Sequence, residues 1–174
     1  MKRQTVYLIL LMVLMLACKG RKRDALVGTW HAIKLENPEM DSFFKNSQAY
    51  IDTVGKNHDA ATNIELYGVA NMDSMRKFLQ QQYDSTKAMQ MDAVAHTVFK
   101  FRKDSIVELF FNGGIDSSKW YLDKDGALIL NDLNAQSAED KARMEIVELS
   151  GSVLKLRFRE NNSSSVVTFR QEGK

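Results

Sequence analysis

The sequence predicts a mainly β protein, with one early strand, seven late ones and an α-helical insertion between the first and second. Three observations carry this. After His96 apolar residues recur at every second position; between Met40 and Ala95 they recur at every third or fourth; and Gly, Asn and Asp gather where most of the late runs end. Short strands at such spacing form an antiparallel meander that closes into a barrel or folds into a sandwich.

The first strand is read in ALVGTWHAIKLENP, Ala25 to Pro38, where β-branched and aromatic residues dominate and the only proline closes the run. Helical spacing follows at Met40, Phe43, Phe44, Tyr50, Ile51 and Val54. It resumes at Met72, Met75, Phe78, Leu79, Tyr83 and Met89. Asp41-Ser42 and Asp73-Ser74 are read as capping residues, and Gly55 to Asn63 as a loop. The late strands lie in HTVFKFRK, SIVELFFNGG, SSKWYLDKDG, ALILNDL, RMEIVELSG, SVLKLRFRENN and SSVVTFRQ. Turn residues divide most of them, at Asn112-Gly113-Gly114, Lys124-Asp125-Gly126, Ser150-Gly151 and Glu160-Asn161-Asn162. The polar stretch from Asn134 to Ala142 suits a helical turn. Alternation places Phe99, Phe101, Trp120, Leu122, Leu154, Leu156, Phe158, Val167 and Phe169 on inward faces. Lys100, Arg102, Lys119, Lys155, Arg157 and Arg170 fall on the opposite ones.

The N-terminus carries Lys2 and Arg3 ahead of an unbroken apolar run, Val6 to Ala17, the order of a secretory signal. That run falls short of the roughly 20 residues a membrane-spanning helix needs. MLAC, Met15 to Cys18, resembles the bacterial lipobox, with Met15 where Leu is usual. The resemblance implies cleavage before Cys18 and acylation of its sulfur and new amine by palmitate-like chains. An unpaired thiol in an exported chain is otherwise a liability. Several acyl chains make a lasting anchor, since each buried CH2 adds about 0.8 kcal/mol. Residues 1–17 are thus expected to be a lipoprotein signal peptide, 18–24 a lipidated tether, and 25–174 one domain with its helical insertion at about 40–95. Without Lys2 and Arg3 the formal charge of +2 falls to zero, so the broad basic field of a nucleic-acid binder is missing. The local cations Lys19 to Arg23 suit anionic headgroups. Lys19 stands where an Asp would resemble an inner-membrane retention signal, and no acidic export cluster follows Cys18. The expected location is the cell envelope, at the outer membrane and facing the periplasm.

The globular part resembles a known family, the lipocalins, and more particularly the lipocalin-like lipoproteins of Bacteroidota. The matching residues are Leu26, Gly28 and Trp30; Phe99, Phe101 and Asp104; Trp120; then Leu122, Asp125, Gly126, Leu128 and Leu130. The resemblance implies an eight-stranded antiparallel barrel. It also implies that Trp30 packs across the closed end, with Arg170 of the last strand as a cation-π partner. The helical insertion departs from the family, which has a long loop there.

Catalytic chemistry finds little footing. His31, His58 and His96 are dispersed, Ser42, Ser74 and Ser163 to Ser165 lack a nucleophile frame, and Gly113-Gly114 opens no helix. Asp116 with Asp123 and Glu139 with Asp140 are carboxylate neighbours of the kind that 22 acidic residues supply by chance. The expectation is a non-enzyme with no cofactor, no metal and no nucleic-acid partner. It would be attached to the membrane through Cys18 and would bind a small hydrophobic ligand. Candidate ligand-lining residues are Phe99, Phe101, Trp120, Phe158, Phe169, Met75 and Phe78. The alternative is a non-catalytic envelope protein acting through protein-protein contacts of its helical insertion or sheet face. Five of the six methionines after Cys18 lie in that insertion, where soft side chains suit core filling or an adaptable surface.

Overall fold

The computed structural model describes residues 22–111, 113–133, 141–160 and 163–173. Eight strands form a closed barrel rather than a sandwich. They are β1 (Gly28–Glu36), β2 (Val98–Phe101), β3 (Ile106–Phe111), β4 (Gly114–Leu122), β5 (Leu128–Asp132), β6 (Lys141–Ser150), β7 (Val153–Glu160) and β8 (Ser163–Gln171). Successive strands pair antiparallel throughout. The last returns to the first, where Glu172 N–H donates to Thr29 O at 2.9 Å. Three helices lie between β1 and β2 in the chain: α1 (Pro38–Thr53), α2 (Ala60–Tyr67) and α3 (Met72–Ala95). Two compact units result, a barrel that resumes at Val94 and a helical unit from Glu36 to Ala93.

The meander sorts the turns to two ends of the barrel. At the proximal end β1 begins, since Gly28 pairs with Phe101, and the β2–β3, β4–β5 and β6–β7 turns lie there too. At the distal end β1 finishes, β2 starts, and β3–β4, β5–β6 and β7–β8 connect. Period-two alternation fills the interior with Trp30, Phe101, Val107, Trp120, Leu128, Leu154, Leu156 and Phe169, each at most 1% exposed. The cations of the same strands face outward. On that outer face Glu108 accepts from Lys100 at 2.9 Å and from Arg102 at 3.2 Å.

Several boundaries differ from the sequence expectation, each for a local reason. Residues 22–26 are helical, so the first strand starts at Gly28 rather than Ala25. Pro38 opens α1 instead of closing the strand, because a first helical residue needs no N–H donor. The caps are Asn37, Asp59 and Asn71, not Asp41-Ser42 or Asp73-Ser74. Asn37 Oδ1 accepts from Met40 N–H at 2.9 Å, Asp59 from Thr62 at 2.8 Å, and Asn71 from Asp73 at 3.0 Å. The Asp59 bond lets α2 begin at Ala60, inside the stretch read as a loop. The first of its causes, the Thr62 backbone hydrogen bond, holds the Asp59 carboxyl below its ordinary range. Gly114 belongs to β4, while Lys141 and Ala142 begin β6; the rest of the expected helical turn, 134–140, lies outside the described residues.

Candidate functional site

The proximal half of the barrel is solid. Phe101 meets Trp120 edge-on at 5.3 Å between ring centroids, and Phe99 meets Phe169 at 4.9 Å. Both indoles find acceptors: Trp30 Nε1 donates to Leu26 O at 2.8 Å and Trp120 Nε1 to Arg102 O at 3.1 Å. These bonds remove the cost of enclosing a polar N–H. Leu26, wholly buried, brings the helical turn 22–26 over this end. Gly28 passes under Gln171, whose Nε2 donates to Val27 O at 3.1 Å.

The expected cation-π pair of Trp30 with Arg170 is not made. Alternation turns Phe169 and Gln171 inward and leaves Arg170 exposed. The arginine that covers an indole is Arg23, 5.4 Å from the centroid of Trp120. It also donates to Lys103 O at 3.1 Å and Ser105 Oγ at 2.9 Å. Its place after Cys18 put Arg23 in the expected tether, 18–24; its position just ahead of the first strand was the signal available.

Toward the distal end small inward residues alternate with larger ones, among them the buried Leu109. Ala32, Ser118 and Ser165 are buried there, and Ser163 Oγ is enclosed with no hydrogen-bond partner. Half-buried Phe99, Met144, Ile146, Phe158 and Val167 share this region. The wall itself parts between β6 and β7. Their register ends at Glu145 with Arg157; residues 141–144 pair with β5, and Phe158 and Arg159 with β8. A cleft of about 600 Å³ opens in the gap. Ala142, Met144 and Phe158 supply its apolar surface, and Lys141, Arg143, Arg157 and Arg159 surround it with the single carboxylate of Glu145. Arg157 donates to Glu145 at 3.0 Å and Arg143 to Asp123 at 3.2 Å. The remaining excess of positive charge suits an amphiphile with an acidic head.

Of the expected ligand-lining residues, Phe158 lines this cleft and Phe99 is half-buried. Phe101, Trp120 and Phe169 interdigitate in the packed half, each 1% exposed, and do not line the cleft. Met75 and Phe78 belong to α3, where Phe78 is 57% exposed. They do not line the helical unit's own apolar cleft of about 430 Å³, whose wall includes Phe43, Phe44, Tyr50 and Tyr83. There Phe44 and Tyr83 stack edge-on at 5.4 Å.

The polar constellations do not converge. Asp116 stands near the distal start of β4, opposite Leu109, and Asp123 in the proximal turn after it. Seven residues of strand separate them by about 23 Å. Burial raises the Asp123 carboxyl, but the N–H groups of Ala127 and Asp125 and then Arg143 outweigh it and hold it low. His31 lies 3.7 Å from Glu172, and His58 stacks on Tyr67 at 6.2 Å. Glu139 and Asp140 lie outside the described residues. Among the described residues, no three His, Cys, Asp or Glu side chains are grouped to hold a metal.

No protein-family model and no curated protein matches the chain. The chain is similar to a solved structure, a DUF4847 family protein from Bacteroides vulgatus ATCC 8482 determined at 1.00 Å resolution. The identity is 13%, the match covers 84% of this chain and 94% of that one, and the TM-score is 0.43.

Proposed function

We propose that this protein is a lipid-anchored lipocalin-like envelope protein, facing the periplasm from the outer membrane, that binds a small hydrophobic ligand without catalysis. The ligand enters through the β6–β7 cleft and lies against Phe158, Met144 and Phe99 in the distal half of the barrel. The observation that carries this reading is the parting of the wall at a cleft whose apolar surface is Ala142, Met144 and Phe158, beside a core already filled by aromatic rings. The lipid anchor rests on the lipobox-like MLAC before Cys18, a residue outside the described ones. No helix among the described residues is long and apolar enough to cross a membrane.

Native mass spectrometry with denaturing extraction, on protein taken from its natural envelope, tests the binding. A hydrophobic compound at defined stoichiometry is expected, and Ala142→Trp, which fills the cleft, should release it while the far-ultraviolet circular dichroism stays the same. A barrel that emerges empty from every preparation defeats the reading. A second reading, a protein partner at the helical insertion, draws on the exposed Phe43, Phe78, Met89 and Met91, which are 55–71% accessible. Crosslinking from position 89 to a defined protein, with no compound extracted, would favour it.

A further inference from the structure

We propose that the proximal end of the barrel rests on an anionic lipid bilayer, so that the distal end faces away from the membrane. The proposal builds on the acylation of Cys18 and adds the orientation and the contacting residues. Three residues, Lys19 to Arg21, separate Cys18 from Lys22, where the described chain begins. Fully extended, this stretch reaches at most about 14 Å. Lys22 and Arg23 belong to the turn over the proximal end: Arg23 holds Lys103 and Ser105 of the β2–β3 turn, and Lys22 Nζ stands 3.9 Å from the Cβ position of Gly126 in the β4–β5 turn. The anchor therefore leaves from that end. The eight residues of β7 place the distal turns roughly 20 Å farther along a tilted strand.

Charge points the same way. Lys22, Arg23, Lys103 and Lys124 are exposed at the proximal end, and in the sequence Lys19 and Arg21 lie between Cys18 and Lys22. Of the carboxylates there, Asp104 is held by Arg102 at 2.5 Å, Asp123 by Arg143 and two backbone N–H groups, and Asp125 lies 3.9 Å from Arg143, leaving Asp24 and Glu172 to oppose these cations. With a screening length of about 8 Å at physiological salt, cations beside the tether feel an anionic surface and those at the distal end do not.

Cys18 is the only cysteine, so once acylated it leaves an introduced cysteine as the sole reactive thiol. The test uses the full acylated chain with a fluorophore at Lys124→Cys or, separately, Ile115→Cys near the distal end, where Ile115 is 70% exposed. Lys103→Cys serves as a second proximal probe. The vesicles are phosphatidylglycerol and phosphatidylethanolamine with a nitroxide on a fraction of the headgroups, and intact mass first establishes the acyl chains. Quenching at 124 and 103 is expected to exceed that at 115 by about threefold or more, and to weaken when phosphatidylcholine replaces phosphatidylglycerol. Equal quenching, or stronger quenching at 115, overturns the orientation while the anchor stands. Proximal quenching that ignores lipid charge overturns the electrostatic contact, and a chain without acyl mass on Cys18 overturns anchor and orientation together.

Discussion

A Cβ on Gly28 would stand 2.5 Å from Gln171 Nε2, at a backbone φ of +139° that side chains rarely adopt. Gly28→Ala should therefore lower the urea midpoint by the equivalent of about 1–3 kcal/mol at unchanged slope, whereas Gly151→Ala, with open space around it, should cost less. Glu108 supplies a pH test. Lys100 first, then Arg102 against some burial, hold its carboxyl below the ordinary value, so it binds a proton less readily folded than unfolded. Stability from that difference is present above the unfolded pKa and lost as pH falls through the folded one. Melting temperatures of Glu108→Gln should thus decline less steeply than those of the parent between about pH 5 and 3. A sequence reader could single out Gly28 and Trp30 by their spacing, but not the partner of either. Arg170 was assigned a role that its own alternation with Phe169 and Gln171 forbids, and Arg23 was hidden because a basic run looks the same whether solvated or laid over an indole.

Each of the seven late strands overlaps one of the seven runs read from the sequence, with β4, β6 and β8 beginning one to three residues earlier, since a half-buried strand must alternate and its turns need Gly, Asn or Asp. The helices α1 and α3 were recognised by period with their starts displaced, while α2 begins inside the stretch read as a loop. Asn37 illustrates why: Asn-Pro can end a strand or cap a helix, and only the bond to Met40 N–H decides. Replacing Asn37 by Ala should cost about 1 kcal/mol. Amide exchange in the first turn of α1 should rise accordingly, with little change at the barrel strands. Lost protection spread evenly over β2 to β8 would contradict that local role. The β6–β7 parting carried no sequence signal, because Lys141 to Met144 and Phe158 are ordinary strand residues whose lack of a mutual partner depends on where the β5 and β8 registers carry them.

The two compact units differ sharply in enclosed apolar surface. The helical unit buries Ile51, Val54 and Met72, whereas the barrel encloses two tryptophans, two phenylalanines and a ring of aliphatic side chains. Amide protons of α1 to α3 should therefore exchange at least about tenfold faster than those of β3, β4 and β7, as measured by hydrogen-deuterium exchange. Equal protection in both units would refute that difference. The candidate site divides along the same line between legible and hidden. Phe158 was nominated from its alternation with Leu154 and Leu156, but Phe101, Trp120 and Phe169 on equivalent faces turned out to be core. Local sequence contains hydrophobic period, turn chemistry and the lone Cys18 behind an apolar run, and these settle element types, their order and the number of strands, because each acts over a few neighbouring residues. Closure into a barrel, the aromatic packing of its interior, and the gap between β6 and β7 arise from pairings far apart in the chain. Two inward-facing phenylalanines are identical in pattern, and only the side chains brought opposite them determine whether each meets another ring or an open cleft.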